Sequence, residues 1–199
     1  MKRILLFLTV VCLSFSKVQA QVIDTVLNKV SEKPFYFSVP VDDGNYLVTV
    51  TLGAKKRAAQ TVVRAESRRL MVENCVTKKN QYETWRFIVS KRSPDHGVTL
   101  KEREKDYLNW DELLTLEFNG SAPAVKSIRI EPDTTAVTVF LCRNSTVVDQ
   151  ELEPWASWGQ MIPRWFTEKV AISNHAESGL SARTFIASNR LEKVLSMMK

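Results

Sequence analysis

The chain has 199 residues, of which 44% are hydrophobic and 25% are charged. This balance excludes a disordered chain and a collagen-like or low-complexity repeat, and the length suits one large domain or two small ones. The formal net charge of +6 is compatible with binding to nucleic acid, provided that the basic residues remain in the mature protein.

The first twenty residues have the pattern of a secretory signal peptide. Lys2 and Arg3 precede the apolar run 4–13, and Val18-Gln19-Ala20 forms a small-residue cleavage pattern. A membrane anchor is the alternative, but this run is shorter than the stretch of about 20 apolar residues that crosses a bilayer. The sequence therefore predicts a signal peptide over 1–20, an exported protein, and no stable membrane insertion after cleavage.

Removal of this segment changes the charge balance. It takes away three basic residues and no acidic one, which leaves a net charge of +3. The basic residues that remain include Lys55-Lys56-Arg57 and Arg64 with Arg68-Arg69, and such runs are more often solvated faces than binding sites for an anionic partner. We therefore expect no nucleic-acid partner.

The mature chain offers few residues for metal or redox chemistry. No pair of Cys or His residues has the spacing of metal ligands, and no Gly-rich phosphate loop is present. We predict no metal site and no cofactor. Cys75 and Cys142 are the mature cysteines, and the sequence leaves open both their redox state and the oligomeric state.

Short runs in which apolar and polar residues alternate fill most of the mature chain up to Glu131. They cover 46–52, 85–89, 114–118 and 128–130, and turn residues such as those at 42–45 separate them. A period of two places the apolar set of each run on one face of a strand, which a second sheet must cover. We predict an antiparallel β-sandwich over 21–134.

The pattern changes after Thr134. Residues 136–141 form a nearly continuous apolar run, which predicts a strand buried on both faces, and 170–173 predict a second strand. Between them, bulky apolar residues recur at helical spacing after Pro154, which predicts a core-facing helix. These residues are Trp155, Trp158, Ile162 and Trp165. A further helical pattern from Ser181 completes a predicted β-α-β-α unit over 135–199.

The loop after the first of these strands contains Ser145. In parallel α/β sheets, functional residues gather at the carboxyl ends of the strands, where a Ser can act as a nucleophile. Polar loop residues also form turns and cap helices, so the residues alone favour a structural role for this Ser.

Three stretches at ordered spacing are more specific. They are Asn144-Ser145-Thr146-Val147-Val148-Asp149-Gln150, Glu153-Pro154-Trp155-Ala156-Ser157-Trp158-Gly159-Gln160-Met161, and Asn174-His175-Ala176-Glu177-Ser178-Gly179-Leu180-Ser181-Ala182-Arg183-Thr184-Phe185. The segment from Val137 onward resembles the start of SGNH (GDSL-like) hydrolases of the rhamnogalacturonan acetylesterase type. The preceding sandwich resembles, more loosely, a galactose-binding-like or malectin-like module.

The resemblance implies a flavodoxin-like α/β domain and a secreted carbohydrate esterase that deacetylates a pectic polysaccharide, rhamnogalacturonan. It implies that Ser145 is the nucleophile, with Asn144 as its motif neighbour, and that the Gly179 N–H binds the oxyanion. The family takes its base from an Asp-x-x-His sequence, whereas His96 and His175 are the histidines here and neither lies in such a sequence. We therefore expect that the chain ends before its catalytic Asp and His and is inactive as it stands.

A glycan-binding protein without catalysis is the alternative. In that interpretation the sandwich is the functional part, the α/β segment is vestigial, and Tyr107 and Trp110 stack on the sugar. The expected partner in either case is an acetylated plant polysaccharide.

Overall fold

A computed structural model of the chain describes residues 22–166 and 168–198. The predicted signal peptide lies outside these residues. In chain order the strands are β1 (Ile23–Val30), β2 (Phe35–Pro40), β3 (Gly44–Gly53), β4 (Ala59–Ala65), β5 (Arg69–Thr77), β6 (Tyr82–Lys91), β7 (Leu113–Ala122), β8 (Ala124–Asp133), β9 (Val137–Leu141) and β10 (Val170–Asn174). The helices are α1 (Trp158–Met161), α2 (Ala182–Ala187) and α3 (Arg190–Met197), and 3₁₀ turns lie at Glu102–Glu104, Leu108–Trp110 and Ile162–Trp165.

The first eight strands form two antiparallel sheets of four strands each. The spatial orders are β1-β8-β3-β6 and β2-β7-β4-β5. Alternate residues of β3 and β7, such as Val48 and Val50 in one sheet and Leu114 and Leu116 in the other, are fully buried in a core to which both sheets contribute. Because side chains of a strand alternate between its faces, these residues lie on the face of each strand that is directed at the shared core. The arrangement is compatible with the predicted β-sandwich.

The last two strands are a parallel pair. β9 pairs with β10 in register from Val137 opposite Val170 to Leu141 opposite Asn174. Short helical segments lie between these strands, and α2 and α3 follow. This order agrees with the predicted order of elements, while membership of a flavodoxin-like sheet stays a prediction. Among the described residues, no helix is long and apolar enough to cross a membrane.

The prediction that the first of these strands is buried on both faces is wrong. Val137 and Val139 are 66% and 38% exposed. Within the described residues β9 pairs on one side with β10, and the face that carries Val137 and Val139 is exposed. The second strand, β10, is the buried one: it packs against β6, and four of its five residues are buried.

The prediction of a core-facing tryptophan helix is also wrong. Trp155, Trp158 and Trp165 are 66%, 52% and 72% exposed. The helix is only four residues long, and its buried residues are Gly159 and Gln160. A Cβ added to Gly159 would lie 2.1 Å from the backbone oxygen of Val147, so α1 docks closely through its glycine, and this side of the helix is buried in place of the tryptophans.

Candidate active site

Ser145 lies in a turn that directly follows β9. The backbone N–H groups of Val147 and Val148 donate to the Asn144 carbonyl oxygen at 3.0 and 3.2 Å. The Asn144 side-chain oxygen accepts from the backbone N–H and the hydroxyl of Thr146 at 3.3 and 3.1 Å. Such a turn is typical of Asn, whose side chain binds the backbone two residues on. The turn leaves Ser145 exposed to solvent.

Gly179 occupies a second turn, in the loop that follows β10. The Leu180 N–H donates to the Glu177 carbonyl oxygen at 3.2 Å, and Gly179 has a φ of +78°. A hydrogen bond from residue i+3 to residue i, together with a positive φ at i+2 alone, defines a type II turn. A Cβ on Gly179 would meet Lys101 Nζ at 3.4 Å, so the backbone conformation rather than lack of space requires glycine.

The two loops are joined by backbone hydrogen bonds. The His175 N–H donates to the Leu141 carbonyl oxygen at 2.8 Å, and the Glu177 N–H donates to the Arg143 carbonyl oxygen at 3.1 Å. Ser145 is two residues beyond Arg143, and Gly179 is two residues beyond Glu177. The parallel pair thus brings the two predicted site residues to the same edge of the sheet, as parallel strands do with the loops at their carboxyl ends.

Asn174, the last residue of β10, ties the Ser145 loop to this edge. Its side-chain N–H groups donate to the Val147 carbonyl oxygen at 2.6 Å and to the Asp149 carboxylate at 2.7 Å. Its side-chain oxygen accepts from the Ala176 N–H at 3.2 Å. Asn174 and its three partners, Val147, Asp149 and Ala176, are buried, so these hydrogen bonds are protected from competition with water.

The partner of Asp149 in the sandwich is Arg69. Arg69 Nε lies 3.1 Å from Asp149 Oδ2, and both side chains are almost fully buried. Burial raises the pKa of the Asp149 carboxyl, and the positive charge of Arg69 opposes that rise. Arg69 also donates to the carbonyl oxygens of Ser90 in β6 and Ile172 in β10, at 2.8 and 3.3 Å. One guanidinium therefore holds β6, β10 and the Ser145 loop together.

Other residues of the β4–β5 turn contact the same loop. The Gln160 side chain donates to the carbonyl oxygens of Ser67 and Gln150 at 3.0 and 2.8 Å. Arg68 donates to the carbonyl oxygens of Gln150 and Trp155 at 3.2 and 3.0 Å. The assignment of Arg68-Arg69 to a solvated face is therefore wrong. No local sequence signal identifies their partners, which lie about 80 residues further along the chain.

Neither histidine is hydrogen-bonded to Ser145 among the described contacts. His175 is fully buried, and its Nε2 lies 3.0 Å from the Ser173 hydroxyl. Burial, together with the surrounding arginines and lysine, holds the pKa of His175 well below its usual value. His96 Nδ1 lies 2.9 Å from Asp95 Oδ1.

His96 lines a cavity of about 510 Å³ beside β9 and α3, together with Asp43, Asp95 and Lys193. The buried ammonium of Lys193 bonds both of these carboxylates, and Lys91 also pairs with Asp43 at 3.1 Å. Among the described residues, no group of three His, Cys, Asp or Glu side chains could hold a metal ion. In the same part of the chain, Cys75 is buried, Cys142 is exposed, and both are free thiols.

The two predicted sugar-stacking residues have different environments. Trp110 is only 4% exposed, and the Arg92 and Arg190 guanidinium groups lie 4.2 and 5.2 Å from its ring centroid. The prediction that Trp110 stacks on a sugar is therefore wrong, because the buried ring presents no face to a ligand. Tyr107 is half-buried, and its role stays a prediction.

No protein-family model matches the chain. A 60-residue stretch of the chain is 38% identical to the rhamnogalacturonan acetylesterase RhgT of Bacillus subtilis (strain 168). This stretch covers 29% of this chain and 26% of that enzyme. The chain thus spans about a quarter of the length of this relative, and the similarity to an esterase is partial.

Among solved structures, the chain is similar to a family two carbohydrate esterase from Cellvibrio japonicus. The TM-score is 0.24 and the identity 7%, over 80% of this chain and 53% of the other.

Proposed function

We propose that the loops after β9 and β10 are part of the acyl-transfer site of an exported carbohydrate esterase. The observation that carries the proposal is the 60-residue similarity to a rhamnogalacturonan acetylesterase, which we assign to the predicted α/β segment over 135–199. The hydrogen bond between Glu177 and Arg143 supports it, because it holds the predicted nucleophile and the predicted oxyanion donor in neighbouring loops. The proposed substrate is an acetylated pectic polysaccharide such as rhamnogalacturonan.

In the proposed reaction the Ser145 hydroxyl attacks the acetyl carbonyl carbon while a base takes its proton. The Gly179 N–H donates to the oxyanion that forms, and such donors are a large part of acyl-transfer catalysis. Collapse of this intermediate breaks the bond to the sugar oxygen, which takes the proton back from the base and leaves as a hydroxyl. Water then hydrolyses the acetyl-serine in the same manner, which releases acetate and restores Ser145.

The Asn144 turn positions the nucleophile for the proposed reaction. It exposes the Ser145 side chain while the neighbouring residues Val147, Val148 and Asp149 are buried. A nucleophile on a turn with anchored flanks loses little freedom when substrate binds. We assign Asn144 this positioning role.

The described histidines do not supply the base. His175 bonds Ser173, and His96 bonds Asp95. Externally added imidazole can substitute for the base. We expect the chain to release acetate from acetylated rhamnogalacturonan no faster than Ser145→Ala in plain buffer. In buffer that contains imidazole, we expect the native chain to become faster than Ser145→Ala.

Thr84→Ala is the control, since it removes an exposed hydroxyl from β6, outside the two loops, and should retain the imidazole-dependent release. Circular dichroism establishes that the variants are folded. Equal release by the native chain and Ser145→Ala in imidazole would rule out Ser145 as the nucleophile. The glycan-binding alternative has weaker support, because Trp110 is buried.

A further inference from the structure

The peptide group between Ser178 and Gly179 accepts hydrogen bonds from two cationic side chains of the sandwich segment. Lys101 Nζ donates to the Ser178 carbonyl oxygen. Arg103 Nη2 donates to the same oxygen at 3.0 Å, while Arg103 Nε donates to the Glu177 carboxylate at 3.1 Å. Two cations from a segment some 75 residues away therefore bind one carbonyl oxygen.

This carbonyl shares its peptide plane with the Gly179 N–H. The C=O and N–H groups of a planar trans peptide point in opposite directions. The Ser178–Gly179 peptide is trans, since the cis peptide bond among the described residues is Glu153–Pro154. Any residue that fixes the direction of the Ser178 carbonyl therefore also fixes the direction of the Gly179 N–H. That N–H is the donor that the proposed function assigns to the oxyanion.

The turn by itself does not fix this direction. Type I and type II turns differ mainly in the orientation of their central peptide, which here is the Ser178–Gly179 peptide. Glycine at the third position adopts either sign of φ at little cost, so both orientations are accessible to the isolated turn. Hydrogen bonds from Lys101 and Arg103 favour the type II orientation, because reversal of the peptide would point an N–H at the two cations.

We propose that Lys101 and Arg103 are positioning residues for the oxyanion donor. They hold the Ser178–Gly179 peptide in the orientation that directs the Gly179 N–H away from them. Their positive charges also polarise the peptide, which strengthens the hydrogen bond that the N–H donates. The inference rests on the proposed function and extends it, since it gives the sandwich segment a part in the site.

The segment that carries the two cations lies between β6 and β7 and is tied to α3. The Glu104 carboxylate accepts from the Lys101 backbone N–H at 2.9 Å, and it forms a buried ion pair with Arg190 of α3 at 2.6 Å. This anchors the 3₁₀ turn over Glu102–Glu104 to α3. Lys101 and Arg103 therefore approach the peptide from a fixed platform.

The kinetic test uses acetate release in imidazole buffer, measured as the excess over Ser145→Ala. We expect Lys101→Met and Arg103→Met each to lower kcat about tenfold with KM unchanged, less than the loss of a whole oxyanion donor. Lys101→Arg should restore kcat, because it restores a cationic donor. Lys105→Met is the matched control, since Lys105 lies in the same loop and bonds the exposed Glu102 carboxylate.

A second measurement does not depend on activity. In ¹H–¹⁵N spectra, the amide signal of Gly179 should shift in Lys101→Met and in Arg103→Met and remain in place in Lys105→Met. An unshifted Gly179 signal in both variants would overturn the inference. So would a Ser145-dependent release that both variants retain in full. If no Ser145-dependent release exists, the proposed function fails, and a shifted Gly179 signal would still support the control of the peptide by the two cations.

Discussion

The sandwich and the segment after Thr134 are stabilised in different ways. The sandwich has a continuous apolar core from both sheets, whereas the apolar cluster of the later segment consists of Val147, Val148 and Ala176 with Leu141 packed against it. The later segment instead buries many polar and charged groups, among them Asp149, Gln160, Asn174, His175 and Glu177. Apolar burial is non-directional, whereas hydrogen bonds and ion pairs fix orientation. The second region therefore gains precise loop positions from contacts that each need a partner.

Several of these partners belong to the sandwich segment. Asp149 pairs with Arg69, Arg190 pairs with Glu104, and Lys193 pairs with Asp43. Each pair crosses the domain boundary predicted after Thr134. A buried ion pair is weak evidence for stability in itself, but removal of one partner leaves an uncompensated buried charge. The comparison predicts that the later segment depends on the sandwich through these charges.

The largest expected effect is that of Asp149→Ala. It leaves Arg69 buried without its nearest carboxylate and removes an acceptor of Asn174. We expect the free energy of unfolding to fall by about 3–5 kcal/mol, measured by urea denaturation. Hydrogen exchange should show the earliest loss of protection in the backbone of the loop over 143–160.

The comparison variant is Leu116→Ala, in the apolar core. The cavity that this variant leaves should lower the free energy of unfolding by about 2–5 kcal/mol. Unlike Asp149→Ala, it should lower hydrogen-exchange protection across both sheets. If Asp149→Ala lowers protection in the sheets and the loop equally, then the two regions unfold as one unit and the comparison fails.

The two antiparallel sheets were predictable from sequence because alternate residues of strands such as β3 face a shared apolar core. Val48 and Val50 alternate with polar neighbours, and the period of two reports that geometry directly. The tryptophans after Pro154 follow helical spacing equally well, yet they are exposed, because close packing at Gly159 decides which side of α1 is buried. Periodicity identifies a possible apolar face, but it does not say whether anything covers it.

The candidate site was predictable only in part. Motifs that resemble a family predicted Ser145 and Gly179 as site residues, and the paired strands explain why their loops are neighbours. The motifs could not identify Arg69, Lys101 or Arg103, because each acts across the fold on a residue that is 74 or more positions away. Charged residues at such separations have no local signature, since a buried arginine and a solvated one are the same letter in the sequence.

A smaller expected effect is the pH dependence of stability that Glu66 causes, in the turn between β4 and β5. Burial raises the pKa of Glu66 from 4.5 to about 7, and Asp111 adds to the rise, while Arg69 and Arg92 oppose it. The folded protein therefore holds this proton at pH values at which the unfolded chain has lost it. Stability contributed by the protonated carboxyl is lost as the pH rises from about 4.5 to about 7, by at most about 1.4 kcal/mol per pH unit.

Glu66→Gln tests this effect because it keeps the shape of the side chain and cannot ionise. The stability of the native chain relative to Glu66→Gln should fall between pH 5 and pH 7.5, as measured by urea denaturation at both values. Other titrating groups, such as His175, are common to both proteins and cancel in the difference. A difference that does not change with pH would show that Glu66 is ionised throughout.

The smallest expected effect is that of Arg86→Ala. Arg86 of β6 pairs with Glu168 at 2.8 Å, and both side chains are substantially exposed. This pair crosses the same boundary as the pair of Arg69 with Asp149, but water screens it, so its loss should cost at most about 1 kcal/mol. A loss comparable to that of Asp149→Ala would mean that the number of ion pairs across the boundary, rather than their burial, holds the two regions together. Urea denaturation of Arg86→Ala and Asp149→Ala in low and in high salt separates these explanations, since only the exposed pair should weaken as salt is added.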